Sequence, residues 1–328
     1  MHPIERLRYV ARADGAGVSV LVDAAARALS GLGDDHAGLV TGCRQMVDRH
    51  PAIGPMWWLT SRMLCATAPE REAWSAIEAM EHDTTPRSLC SELPAEAVTV
   101  VLGWPELTSG ALNRRGDLRV RAVDTLGEGS LLAEVLSDAG LDATGVPEPG
   151  LGAAVADADL LVLEALAVGP TGFVAVAGSR AAAAVARHAG KPVWVVAGVG
   201  RLLPTRLWEA VLGRLDARGE PWDAAEEVVP LDLIDVVAGP WGVGPVAEAL
   251  GHTDCPVAAE LSKGVYAPGT FQRATDGPPV DARGGRRTSG GSGAGAGSGA
   301  RAGGGAGAGG GAGAGGSGGG RRRRRRRR

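Results

Sequence analysis

Apolar residues recur at two different periods along this chain, and the change from one to the other divides it. Up to about residue 95 the spacing is helical. Ile4, Leu7 and Val10/Ala11 mark a first helix, which Asp14 to Gly17 breaks. Val18, Leu21, Val22, Ala25 and Leu29 mark a second, ending near Gly31 and Gly33. Asp34 or Asp35 is placed to cap a third, which carries Leu39, Cys43, Met46 and Val47. Pro51 to Ala66 predicts a fourth with Met56, Trp57, Met63 and Leu64, Pro55 sitting in its first turn. Pro69 opens a fifth, EREAWSAIEAM.

From Ala97 short apolar runs without alternation take over, as strands buried on both faces of a parallel sheet require. Ala97 to Leu102 and Leu118 to Val123 are two strands. A helix over Ser130 to Ala139, a strand over Leu141 to Val146 and a short helix over Leu151 to Ala156 follow. The stretch from Asp157 to Thr205 reads as one strand–helix–strand unit: Leu160 to Leu163 is the strand, and Gly169, Pro170 and Gly172 make a loop. Alanine-rich Val174 to Ala189 is the helix, stopped by Gly190 and Pro192, and Val193 to Ala197 is the next strand. A helix over Arg206 to Leu215 closes the series. Asp223 to Ala238 and Trp241 to Leu250 have no assigned place. The prediction is an α/β protein: a helical N-terminal domain over residues 1–95, a Rossmann-like doubly wound parallel-sheet domain over 96–270, and a disordered Gly/Ala/Arg-rich tail over 271–328.

Composition sharpens that division. The 328 residues are 45 % hydrophobic, enough for a sizeable core. The net charge of −3 conceals a segregation. From Gly277 onward there are 12 arginines, ending in Arg321 to Arg328, against the single acid Asp281. That leaves 22 basic and 36 acidic residues before it, a balance of −14 against +11 in the tail. An acidic body repels phosphate backbones, so nucleic-acid binding by the body is not expected. The arginine run would contact polyanions by charge; the plainer reading is a GC-rich low-complexity coding end with no selected role.

Cys43, Cys65, Cys90 and Cys255 are widely spaced without a C-x-x-C, which points to neither a metal nor a redox pair. No apolar run approaches the roughly 20 residues of a membrane span, and the charged first 15 residues lack a signal-peptide core. The expected location is cytoplasmic, with no cofactor.

The order of these pieces resembles the alpha/beta/delta subunits of translation initiation factor 2B, whose superfamily includes methylthioribose-1-phosphate isomerase and ribose-1,5-bisphosphate isomerase. Ala158-Asp159-Leu160-Leu161-Val162-Leu163-Glu164-Ala165 is similar to the family's A-D-L-V-I-V-G-A strand. Lys191-Pro192-Val193-Trp194-Val195-Val196-Ala197 is similar to its K-P-F-Y-V-V-A strand, and Val229-Pro230-Leu231-Asp232-Leu233-Ile234 to its V-P-P-E-L-I. His50-Pro51 falls at its R-P helix start. The likeness spans roughly residues 15–262. It implies self-association through the α/β domain and a small phosphorylated ligand.

The isomerases of that superfamily use a cysteine after the first strand of the α/β domain and an aspartate in V-G-A-D. Here no cysteine lies between Cys90 and Cys255, and the aspartate position falls on Leu166. The N-K-I-G-T motif becomes Ala175-Val176-Ala177-Gly178-Ser179, and the R-P arginine becomes His50. Asp157 and Asp159 precede their strand, at the wrong end for catalysis. No catalytic residue is therefore assigned, and the leading expectation is a non-catalytic binding or regulatory homologue. An isomerase using other groups, Glu106 or Glu164, is the alternative.

Ligands of open α/β sheets sit at the carboxyl ends of strands. There the sequence places Glu106 and Ser109 after the first strand, Glu164 at the end of the fourth and Arg201 after the fifth, as ligand-binding candidates beside Ser179 at a helix start and His50. Each has a plain structural reading. Glu164 would pair with Arg180 or Arg201, Ser179 would cap or pack, and His50 would occupy a surface turn. Trp57, Trp58 and Trp241 would face a partner subunit or pack in the core.

Overall fold

A computed structural model describes residues 17–218 and 220–262. The expected helix over residues 4–11 and the tail lie outside them.

Five helices come first: α1 Val18–Ser30, α2 His36–Arg49, α3 Gly54–Cys65, α4 Pro69–Glu81 and α5 Thr85–Glu92. Asp35 caps α2, its carboxylate accepting from Gly38 N–H at 2.9 Å. Proline stands in the first turn of α3, α4 and α5, where its missing N–H would have no helical partner. Trp57 and Trp58 are both fully buried, which places them in the core of this chain. The Arg214 guanidinium stacks on Trp57 and that of Arg62 on Trp58.

The α/β part runs β1 Val98–Leu102, α6 Glu106–Leu112, β2 Arg119–Val123, α7 Gly129–Asp138, β3 Asp142–Val146, α8 Leu151–Ala156 and β4 Leu160–Glu164. After it come β5 Ala167–Val168, β6 Gly172–Val176, α9 Ser179–His188, β7 Val193–Val196 and α10 Thr205–Asp216. The unassigned region supplies β8 Glu226–Pro230, β9 Val236–Gly239, β10 Gly242–Pro245 and α11 Val246–Leu250, and α12 Ala259–Ser262 ends the described chain. Seven strands form one sheet in the order β10-β9-β7-β4-β1-β2-β3, all parallel except β10.

Alternate residues of the strands feed two cores. Val100, Leu161, Leu163, Val195 and Val237 face α8, α9 and α11, while Val101, Val120, Leu160, Val162 and Ala238 face α5, α6 and α7. A sheet covered on both faces explains why its strands show no polar alternation. A third core joins α1 to α4 with α10, Ala167 and Val174.

Two expectations are corrected. Val174 to Ala189 is not one helix: Gly172–Val176 is strand β6, and the helix begins at Ser179. β6 pairs antiparallel with β5 and β8 in a second, three-stranded sheet. These cross-strand partners, β5 just before it and β8 remote in sequence, overrode the helical preference of the alanines. Second, the loop after β1 is short, because Glu106 already opens α6.

Candidate functional site

The strand order reverses between β1 and β4, which makes the crevice at their carboxyl ends the place where this architecture receives ligands. Glu164 stands there, at the end of β4. Its side chain is 8 % exposed, and one carboxylate oxygen lies 2.9 Å from Nη2 of Arg201, whose side chain is 4 % exposed. The other oxygen accepts from the N–H of Thr108 at 2.9 Å and from its hydroxyl at 3.0 Å. Arg201 also donates to the carbonyl of Ala165. A buried charge persists only when paired and hydrogen-bonded, and both conditions hold here. The pair ties β4 to α6 and to the loop after β7. Of the two arginines expected as partner to Glu164, Arg201 is the one in contact.

Thr108 is the third residue of α6, so Glu164 places its negative charge on a helix start, where the peptide dipoles favour it. Other helices begin in the same way. The Glu106 carboxylate is bonded to the Ser19 hydroxyl and accepts from Ser19 N–H at 3.3 Å, at the start of α1. Asp83 accepts from Thr85 N–H at 2.8 Å, at the start of α5, and from Val199 N–H at 2.9 Å. Asp124 accepts from Ser130 N–H at 3.0 Å, at the start of α7. Glu227 on β8 accepts from Arg180 N–H at 2.9 Å, at the start of α9. Asp83 was within reach of sequence reasoning as a cap two residues ahead of Thr85-Pro86. Thr108 and Glu227 carried no such signal, because their partners are 56 and 47 residues away.

The remaining candidates separate. Ser109 donates its hydroxyl to the carbonyl of Glu106 at 2.9 Å, within its own helix. Ser179 opens α9 behind Gly178, whose φ of +90° suits glycine. It is 1 % exposed, and its hydroxyl has no hydrogen-bond partner among the described residues. A Cβ on Gly178 would lie 3.6 Å from Leu102 Cδ2 and 3.7 Å from Leu151 Cδ1, so the start of α9 faces the end of β1. His50 is buried, not a surface turn residue. It ends α2, its N–H donating to Met46 O at 2.9 Å and its carbonyl accepting from Ile53 N–H. The chain there is held to the β4–β5 connection by Gly54 N–H, which donates to Leu166 O at 2.8 Å. Glu164 and Arg201 are thus joined directly and Glu106 and Ser109 lie on the adjoining helix. Ser179 stands across the strand ends, and His50 sits on the helical side.

At the opposite end of the sheet Asp159 accepts from Val98 N–H at 2.9 Å, and Asp157 pairs with Arg121 at 2.7 Å. Asp159 fixes the amino end of β1, and Asp157 holds the middle of β2 through Arg121. Trp241 stacks on His252 with ring centroids 4.8 Å apart. Among the described residues no three His, Cys, Asp or Glu side chains converge as a metal site, and no helix is long and apolar enough to cross a membrane.

No known family model matches the chain, and no curated protein matches it in sequence. Solved structures do match in fold. Translation initiation factor eIF-2B of Pyrococcus horikoshii OT3 superposes with a TM-score of 0.63 at 15 % identity, over 76 % of this chain and 98 % of that one. The tetrameric eIF2B-beta2-delta2 complex of Chaetomium thermophilum gives 0.57 at 16 %, over 76 % and 92 %. The eIF2B beta subunit of the same organism gives 0.55 at 17 %, over 74 % and 86 %. The chain has the fold of the initiation factor 2B subunits.

Proposed function

We propose that this protein is a non-catalytic, cytoplasmic homologue of the initiation factor 2B subunits that binds a small phosphorylated ligand, a sugar phosphate or a nucleotide, and self-associates. The observation that carries the reading is the state of Glu164. An acid–base catalyst needs a carboxylate free to exchange a proton with substrate. Glu164 instead has both oxygens engaged, by Arg201 and by Thr108. Glu106, the other acid at this end of the sheet, is bonded to Ser19. The isomerase alternative would have to break one of these arrangements.

For the ligand, the support is the start of α9. The unpartnered hydroxyl of Ser179 and the helix start there suit an anionic oxygen, which would compete with Glu227 for the N–H of Arg180. For self-association, the support is fold-level likeness, including a neighbour described as a tetrameric complex.

A thermal-shift screen of the full chain against sugar phosphates, nucleoside monophosphates and inorganic phosphate tests the proposal, because a ligand selective for the folded state raises the melting temperature. A rise with one organic phosphate and not with phosphate alone, without turnover of that compound, is the expected result. Steady isomerisation of a sugar 1-phosphate by the purified protein would defeat it, and so would a flat screen on a protein that melts cooperatively.

A further inference from the structure

Two cysteines far apart in the chain come to one place in the fold. Cys65 is the last residue of α3 and is exposed, whereas Cys255 is buried in the segment between α11 and α12. Cys65, Arg62 and Glu72 line a cavity of ≈ 390 Å³, and Asp254 and Pro256, the two chain neighbours of Cys255, line it with them. The groups that act on the Cys255 thiol are Asp254 beside it and Cys65, Ser61 and Arg62 of α3. Ser61 and Cys65 are four residues apart, on one face of that helix, with β-carbons about 5–6 Å from each other. A thiol that senses both lies against the last turn of α3, on the side that carries Cys65. Their spacing in the sequence carried no such signal.

The contact recurs farther along the same segment. Burial, and after it the charge of Glu260 on α12, push the Cys65 thiol up. The carbonyl of Glu260 accepts from Arg44 Nε on α2 at 2.9 Å, and that of Leu261 accepts from Arg214 Nη2 on α10 at 3.2 Å. Leu261 itself is buried. Residues 254–261 are thus a strap laid over α2, α3 and α10, fastened by hydrogen bonds and one apolar side chain.

We propose that Cys65 and Cys255 form a reversible disulfide that locks this strap to α3. The co-reactant is a small-molecule disulfide of the glutathione class. The exposed Cys65 thiol loses its proton and attacks one sulfur of that molecule, breaking its S–S bond and expelling one small thiolate. Cys255 then loses its proton and attacks the Cys65 sulfur of the mixed disulfide, expelling the second. The two protons end on the two small thiolates, and two electrons pass from the protein to the small disulfide. Cys65 reacts first because it is the one solvent reaches. Its place at a helix end lets the backbone shift to the Cα separation of about 4.4–6.8 Å that a disulfide needs. Burial disfavours both thiolates, which slows the exchange and leaves the finished link hard to reduce.

The full chain, held with glutathione disulfide at pH 8, alkylated and then digested without reduction, tests this. One peptide pair joining Cys65 to Cys255 should appear at every protein concentration, with an intact mass lower by two hydrogens. The melting temperature should rise by about 5 °C or more and fall back with dithiothreitol, because the link closes a long loop. Cys65→Ser, at an exposed site, should remove both the link and the rise. Glutathione that stays on Cys65 while Cys255 remains free would overturn the proposal. So would a chain still unlinked after a day although its Cys65 alkylates readily, a link through Cys43 or Cys90, or a Cys65-to-Cys65 link that grows with concentration. A link that leaves the melting temperature unchanged would overturn the lock.

Discussion

The carboxylate of Glu164 and the guanidinium of Arg201 lie 2.9 Å apart, both nearly sealed from solvent, where the sheet changes direction. Removing one partner leaves the other charge buried and uncompensated, which typically costs about 3–5 kcal/mol. Glu164→Gln and Arg201→Met should each lower urea stability by that order. The double variant should recover a large part of the loss, because it leaves no uncompensated charge buried. A double-mutant cycle by equilibrium unfolding reads the difference. If the protein acts without acid–base chemistry, ligand-induced shifts should persist in the double variant.

Gly169 sits against Trp208, and a Cβ there would fall 2.1 Å from Trp208 Cδ2. Trp208 is buried and its indole N–H donates to the Thr171 hydroxyl at 2.9 Å, so it has little room to move. Gly169→Ala should therefore destabilise by about 1–3 kcal/mol, the usual range for overpacking. Denaturant titration gives the loss.

Ser179→Ala should behave in the opposite way. The hydroxyl it removes has no partner, so stability should stay within about 0.5 kcal/mol of the parent or rise. Any stabilisation by a phosphorylated ligand should fall in the same variant, as seen in the melting shift.

Asp117 is held by Arg115 at 2.7 Å and by the N–H of Glu96 at 3.0 Å. These keep its carboxyl well below the ordinary aspartate range, the Arg115 hydrogen bond being the larger cause. A group lowered in the folded state adds stability above its ordinary pKa of about 3.9, and loses it as pH falls through the lowered value. Its NMR signal should stay flat through about pH 4. Asp117→Asn should be less stable than the parent at pH 7, with the gap closing on acidification.

Burial pushes the Cys255 thiol up to about 12 and raises that of Cys43. Both are shielded in the fold, whereas Cys65 is exposed. A thiol reagent at pH 8 should label Cys65 in the native protein and leave Cys43 and Cys255 untouched until denaturant is added. For Cys255 the linked stability is present below the ordinary thiol value of about 8.5 and is lost as pH rises towards 12. Peptide mapping after pulse labelling distinguishes the sites.

The sheet was readable because β4 and β7 are apolar without interruption and their flanking glycines and prolines are local signals. The helices from Val18 to Glu81 were readable from their helical spacing and end signals, whereas α5, Thr85–Glu92, was not foreseen. β6 was not: Phe173 to Val176 runs into alanines that favour helix, and only its pairing with β5 and β8 makes it a strand. The start of α6 carried a local signal, Pro105 followed by Glu106. At the site, the need for a partner to Glu164, Arg180 or Arg201, followed from the cost of burying an acid in an apolar strand, and the structure selects Arg201. The bond from Thr108 and the cap from Glu227 could not, since nothing local marks a contact across 47 or more residues. His50 looked exposed because a histidine before a proline suggests a turn, and its burial depends on tertiary packing that no local signal marks.

The carboxylates that begin the helices give the protein its own resident counter-ions. An anion arriving at α9 meets Glu227 already in post on the N–H of Arg180. Binding there is an exchange of one negative charge for another, not the filling of an open socket. The proposed ligand would have to outcompete a tethered rival, and its success would turn Glu227 loose on β8, beside β6. Ligand occupancy would then be felt in the small three-stranded sheet, at the strand that carries the displaced glutamate.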